Sequence, residues 1–317
     1  MGIDLQYLLF LQKLREMTGG AFDEIFNALS KFSVDYLPFL PFIIYWAVHK
    51  KWGYRYLVIF NISYVLNQIA KLTVCAYRPW IRSQEIVPAG DSKTAATGYS
   101  FPSGHTNQAA NTLGTTAVWQ KDSNRRLSIA CIILTLLIGF SRNYLGVHTP
   151  QDVIVAIGIA VITIAVYMAA DRKIGSNERV IDGLTIAGAV FVILSLIYTK
   201  MKPYPMDYVD GKLLVDPVVM MIDCFKSCGG FAGLLAGSWL ERHKFHYEIP
   251  EGAKLLPLLT GIGLILVISW KNLLGPATFV IWFGRHWGNF IARFIEYFFG
   301  VLIWRMIITR ICRKQND

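Results

Sequence analysis

Three short stretches carry side chains suited to handling a phosphate: "KLTVCAYRP" from Lys71 to Pro79, "PSGH" ending at His105, and "SRNYLGVHTPQD" from Ser141 to Asp152. Lys71 and Arg78 are spaced by two helical turns, which puts them on one face and ~10 Å apart along the axis. Pro79 is expected to end that helix. A lysine inside a membrane helix is costly and by default signals function; the plainer alternative is a snorkelling lysine beside an interfacial arginine. Ser103 reads as an N-cap, with Gly104 and His105 opening a helix. Free N–H groups and the positive dipole end make such a terminus an anion site. Glycine lets a phosphate approach the backbone, and histidine exchanges a proton there. An ordinary cap with a bystander histidine is the alternative. Thr149 and Pro150 read as N-cap and first residue of another helix. Asp152 then either caps that helix or holds the imidazole N–H of His148.

Taken together, these stretches bring one lysine, two arginines (Arg78 and Arg142), two histidines and one aspartate to helix ends on one membrane face. Three fixed cations in one place need an anion. Arginine forks match phosphoryl oxygens, and two imidazoles suit a two-step displacement in which one attacks and one protonates the leaving group. The chemistry is phosphoryl transfer at a site with no metal and no other cofactor.

The elements that must hold these residues are membrane helices. The chain has 317 residues, of which 54% are hydrophobic and 16% charged; soluble domains carry roughly 25% charged residues. Apolar runs of membrane-spanning length recur. The expected fold is all-α, a polytopic transmembrane bundle of about nine spans, near residues 34–49, 54–77, 104–120, 127–146, 150–170, 181–199, 216–240, 255–271 and 290–309. The span at 104–120, "GHTNQAANTLGTTAVWQ", is too polar for lipid and should face other helices. Residues 1–33 alternate apolar and charged positions and read as interfacial amphipathic helices. Residues 272–289 read as an interfacial helix or hairpin anchored by Trp282 and Trp287. No cleavable leader is evident, because the run from Tyr7 to Leu11 is short and "QKLREM" follows it. The organisation expected is 1–33 interfacial, 34–170 a catalytic membrane core, and 171–317 a C-terminal bundle.

The net charge of +10 sits in short loops and the tail, as in membrane proteins that use it to set orientation, so no nucleic-acid partner is expected. Lys50, Lys51 and Arg55, then Lys121, Arg125 and Arg126, then Arg310, Arg313 and Lys314 (against Asp317) mark the inner side. The "PSGH" loop is then outside. The five cysteines, Cys75, Cys131, Cys224, Cys228 and Cys312, lie mostly in apolar runs and read as buried free thiols. In the C-terminal half, Gly229, Gly230, Gly233 and Gly237 read as a close helix–helix contact. Asp223 and Lys226 beside them either share that structural role or line a path for a lipid headgroup. His243 and His246 read as surface residues.

The three stretches resemble the signature of the type 2 phosphatidic-acid-phosphatase superfamily, K-x6-R-P, then P-S-G-H, then S-R-x5-H-x3-D, with every signature residue present and in order over about residues 30–170. The resemblance implies that His148 is the nucleophile forming a phosphohistidine, Asp152 its orienting partner, and His105 the acid that protonates the leaving oxygen and then the base that activates water. It implies that Lys71, Arg78 and Arg142 clamp the phosphate, with Ser103 and the Gly104 backbone completing the clamp. The expected span count and external N-terminus are similar to the glucose-6-phosphatase and sphingosine-phosphate phosphatase branches. The expected activity is hydrolysis of a lipid phosphate or pyrophosphate in a multi-pass protein of the bacterial plasma membrane, with the site on the extracytoplasmic face. The bacterial preference rests on the lack of eukaryotic retention or glycosylation signals; "NIS" at Asn61 falls inside a helix. Alternatives are a transporter or scramblase that binds the phosphate without breaking it, and a phosphotransferase or sugar-phosphate phosphatase using the same site. A vanadium haloperoxidase shares the signature, but many spans argue against it.

Overall fold

The computed structural model describes residues 2–96, 98–209, 211–250, 252–271 and 275–314. Residues 272–274 of the expected interfacial segment, and Asp317 of the tail, lie outside the described residues. The described chain is helical, with one two-stranded antiparallel ribbon pairing Tyr208–Val209 with Lys212–Leu213. Two compact units interleave along the sequence: residues 1–38, 62–168 and 203–220 form the first, and 39–61, 169–202 and 221–317 the second.

The first unit contains α1 (Ile3–Met17), α2 (Asp23–Asp35), the second half of α4 (Lys50–Val74), α7 (Gly104–Gln120), α8 (Arg125–Tyr144) and most of α9 (Pro150–Ile174). Its helix starts follow local chemistry. The Ser103 hydroxyl accepts from the Thr106 amide, and the Asn124 side chain accepts from the Leu127 amide at 3.0 Å; each answers a donor that the first helical turn leaves open. The α7 helix is buried along Thr106, Asn107, Ala109, Ala110, Asn111 and Leu113, as its polar composition requires. Its small residues admit close neighbours: a Cβ on Gly114 would lie 3.0 Å from Ile164. By contrast Ile154, Val161, Ile162 and Val166 on α9 point outward, a face suited to acyl chains. The N-terminal helices pack on the same unit. Leu5 and Leu8 cluster with Ile86, and Phe26 lies 4.4 Å, ring to ring, from Tyr144. Their other side exposes Ile3, Phe10, Leu14 and Met17, a stripe at helical spacing that fits an interfacial helix.

One local expectation is corrected. The helix carrying Lys71 ends at Val74, not at Pro79. Cys75 takes a left-handed φ of 51°, and Arg78 is extended at φ −62°, ψ 152°, with Pro79 opening the single turn α5 (Pro79–Arg82); a second single turn, α6 (Ser92–Ala95), follows it. The proline's δ-carbon disfavours helix at the preceding residue, so Lys71 and Arg78 do not share a helix face.

The second unit contains α10 (Glu178–Met201), most of α11 (Pro217–Leu240), α12 (Leu256–Ser269), α13 (Gly275–Phe298) and α14 (Trp304–Arg313). The glycine row is a close backbone crossing. A Cβ on Gly229 or Gly233 would lie 2.2 Å from the carbonyl oxygens of Phe290 and Phe294. The α13 segment reverses at Gly284, whose φ is 73°. Gly288 then approaches the backbone of Val280 so closely that a Cβ would lie 2.5 Å from it. This is the hairpin form of the expected interfacial segment, and Trp282 at its tip is 78% exposed.

The chain is therefore an all-α polytopic bundle. Among the described residues, 5 helical stretches are long and apolar enough to cross a membrane: Lys50–Arg82, Arg125–Tyr144, Pro150–Ile174, Glu178–Met201 and Pro217–Phe245. The remaining expected segments are shorter or interrupted. The α7 helix has 17 residues and α12 has 14. Residues 37–48 break into a 3-10 turn, the four-residue α3 (Leu40–Ile43) and a π segment around Pro38 and Pro41, and a π segment at Phe299–Ile303 separates α13 from α14.

Candidate active site

The first unit gathers the three signature stretches. At the start of α9, Asp152 is only 3% exposed. Its Oδ2 accepts from the Thr149 amide at 2.9 Å and lies 3.2 Å from Nδ1 of His148, and it also accepts from the Ser100 hydroxyl. The two roles left open for Asp152 are both filled. On the far side of the ring, Nη1 of Arg78 lies 2.9 Å from Nε2 of His148. A guanidinium only donates, so Nε2 accepts and Nδ1 carries the hydrogen that faces Asp152. The His148 carbonyl accepts from the Asn143 amide at 2.9 Å. Burial first, and the Arg78 cation next, hold the His148 imidazole well below its usual pKa range of 6.5, with Asp152 pulling the other way. The ring is neutral in a site where a protonated one would add to a cluster of cations.

Lys71 and Arg78 are fixed by carbonyls. Lys71 Nζ donates to the carbonyls of Tyr99, Ser100 and Pro102 at 3.2, 3.4 and 2.8 Å, so it ties α4 to the loop leading into α7. Arg78 donates to the carbonyls of Gly98 and Val147 at 3.1 and 2.9 Å. Arg142 is 2% exposed and bonds the Ser30 hydroxyl on α2, while its Nε and Nη2 find no acceptor among the described residues. Two open donors on a buried cation are expensive, and a multiply charged oxyanion is the ligand that removes the expense.

The start of α7 faces the same cluster. The Ser103 amide donates to the Asp152 carbonyl at 3.0 Å, which binds the PSGH turn to α9. His105 is the second residue of that helix and feels the charges of Arg142, His148, Arg78 and Lys71. Nothing lies within 4 Å of where a Cβ on Gly104 would stand, leaving open space over the first turn. All eight residues singled out by the motifs are thus brought together.

Three contributors escaped the sequence reading. Ser100 and Asn143 stood inside or beside the signature stretches, with a hydroxyl and an amide as the available signal. Ser30 had none, because its contact with Arg142 joins residues far apart in the chain. Among the described residues no three or more His, Cys, Asp or Glu side chains converge as metal ligands.

The class is now defined: a polytopic membrane protein with a buried imidazole–carboxylate pair and a cationic pocket at helix ends. Residues 52–175 match the PAP2 superfamily. The chain is 30% identical over 132 residues to an undecaprenyl-diphosphatase of Sulfolobus acidocaldarius, covering 40% of this chain and 59% of that protein. It is 25% identical over 174 residues to lipid phosphate phosphatase delta of Arabidopsis thaliana, covering 51% of this chain and 41% of that protein. The chain thus spans about six-tenths and four-tenths of these curated relatives. No solved structure gives a significant match.

Proposed function

We propose that this protein is an integral membrane phosphatase that hydrolyses a lipid phosphate or pyrophosphate through a phosphohistidine at His148, without a metal. The observation that carries this reading is the tautomer of His148: Nδ1–H faces Asp152, and the Nε2 lone pair meets Arg78 at 2.9 Å. An incoming phosphoryl group takes over the arginine's donors, which frees that lone pair. Nε2 attacks phosphorus, the P–O bond to the lipid breaks, and His105 gives its proton to the leaving oxygen. His105 then accepts a proton from water, the resulting hydroxide attacks phosphorus, and the P–N bond breaks to return neutral His148 and phosphate. Lys71, Arg78 and Arg142 balance the charge on the phosphoryl oxygens, with Ser103 and the α7 amides completing the clamp.

The substrate class follows from the relatives' names together with the site's position at helix ends, where a lipid presents its phosphate at headgroup level without leaving the bilayer. The loop charges support a reading with about nine crossings, this end of the helices on the extracytoplasmic side and the N-terminus outside. The shorter segments cross as helices shielded by their neighbours. A bacterial envelope lipid remains the preferred substrate.

The test is phosphate release from a panel of detergent-solubilised lipid and sugar phosphates, with EDTA present, comparing wild type with His148→Ala. Release from lipids by wild type alone is expected. Loss in EDTA would refute the metal-free step, and wild-type release by His148→Ala would favour transport without hydrolysis.

A further inference from the structure

Ser30 on α2 is only 1% exposed, and its hydroxyl departs from helix habit. A buried serine in a helix returns its hydroxyl to a carbonyl of the preceding turn, as Ser33 does to the Ser30 carbonyl at 2.7 Å. Ser30 instead accepts from Nη1 of Arg142 on α8. The bond ties a helix that lies before the family-matched residues 52–175 to a cation inside them.

This contact decides which donors of Arg142 stay open. Nε and Nη2 find no acceptor among the described residues. These two nitrogens share one edge of the planar guanidinium and present parallel N–H groups, the fork that takes two oxygens of one oxyanion. Arg78 spends Nε on the Gly98 carbonyl and Nη1 on the Val147 carbonyl, and Lys71 donates to three carbonyls. Arg142 keeps a whole edge. A guanidinium on a long rotatable stem holds one direction only when something fixes it. Its fixed point is itself well seated. Phe26, Leu29, Ser30 and Ser33 share one face of α2 at helical spacing. Phe26 meets the Phe140 ring at 5.5 Å, and Leu29 packs on the cluster that contains Ala109, Leu113 and Ile138 of α7 and α8. Ile25 and Phe32, on other faces of α2, are exposed.

We propose that Ser30 is a positioning residue of the phosphate clamp: by occupying Nη1, it aims the Nε–Nη2 edge of Arg142 at the phosphoryl oxygens. The amphipathic helix α2 is then part of the frame of the active site as well as a membrane-surface element. This role rests on the reading of the histidine site as a phosphoryl site, and it adds to that site a residue that no signature stretch contains. Without the hydroxyl, Nη1 joins the two open donors, the buried cation turns toward other acceptors, and the paired geometry is lost.

The experiment uses the full-length protein in phosphatidylcholine nanodiscs. Inorganic phosphate is titrated calorimetrically, and thermal melting is recorded for each variant. Ser30→Ala should weaken phosphate binding about tenfold with melting nearly unchanged, and Ser30→Thr, which keeps the hydroxyl, should restore it. A comparison with Arg142→Lys separates aiming from packing. An ammonium has no fork to aim, so in that background Ser30→Ala should change binding by less than about twofold. Equal losses in the two backgrounds, a Ser30→Ala protein that binds like wild type, or a folded Ser30→Thr protein that binds like Ser30→Ala overturns the proposal. If Ser30→Thr does not fold, the Arg142→Lys comparison decides. If Arg142→Lys binds too weakly to compare, melting decides: lost binding at unchanged stability, restored by Ser30→Thr, supports the role, and a loss that tracks a lower melting temperature overturns it. Wild type that takes up no phosphate overturns the phosphoryl reading and this role together, whereas phosphate binding indifferent to Ser30→Ala overturns the role alone.

Discussion

Nη1 of Arg78 lies 2.9 Å from Nε2 of His148, so a guanidinium covers the ring nitrogen from which attack on phosphorus is proposed. The same Arg78 is anchored to the carbonyls of Gly98 and Val147. It therefore selects the tautomer of the free site and is already in place to receive phosphoryl oxygens.

That relationship makes Arg78→Lys a severe change. An ammonium is a point donor and cannot span two carbonyls and an imidazole as the planar fork does. Losing one or two charge-assisted bonds should lower kcat/KM for phosphate release by about ten- to hundredfold. Activity within twofold of wild type would show that the arginine is only structural.

Asp152→Asn separates charge from geometry. The one oxygen that accepts from the Thr149 amide also faces Nδ1 of His148 and accepts from Ser100, and an asparagine oxygen in that position keeps all three contacts, so the start of α9 should survive and melting should change little. What is lost is the carboxylate charge that supports the ring as it becomes cationic on phosphorylation. A kcat loss of about 10- to 100-fold is expected, with KM nearly constant.

The pH dependence follows from His148. Its folded-state pKa lies below the model-compound 6.5 because of burial and Arg78, so the folded protein holds the neutral ring. In the unfolded chain the same ring takes up a proton as pH falls through about 6.5. The stability contribution is thus complete above that pH and is lost progressively below it. The acidic decline in melting temperature should be shallower in His148→Ala than in wild type, and an identical slope would contradict the assignment.

Two glycines should answer oppositely to alanine. Gly229→Ala places a Cβ 2.2 Å from the Phe290 carbonyl oxygen; the backbone must yield, at a cost of about 1–3 kcal/mol in stability. Gly104→Ala meets nothing within 4 Å, so the fold should hold while phosphate release weakens, because the methyl group occupies the space over the α7 amides. Thermal melting and kcat/KM measured on both variants check the contrast.

Much of this was legible before any coordinates. The spacing of apolar runs announces membrane helices because a bilayer admits few other solutions. The serine–glycine–histidine and threonine–proline–x–aspartate patterns announce helix starts because an open first turn needs acceptors. Gly229 and Gly233 announce a close crossing because only glycine lets two backbones approach so nearly. Other features lay beyond the sequence. The break at Cys75 depends on packing around a left-handed residue that is not glycine. Lys71 is held by carbonyls of a loop that no local pattern links to it, and Ser30 reaches Arg142 across 112 positions of chain.

What the sequence by itself determined is therefore a kind of chemistry and a kind of scaffold: which residue types stand at spacings suited to a phosphoryl group, and which segments can live in lipid. Helix caps, proline restrictions and hydropathy act over a few neighbouring residues, so one chain suffices to read them. Only the tertiary structure decided which nitrogen of His148 bears the hydrogen, which donors of Arg142 stay open, and how two compact units interleave along one chain. Those outcomes depend on contacts between distant residues, whose geometry emerges when the helices pack.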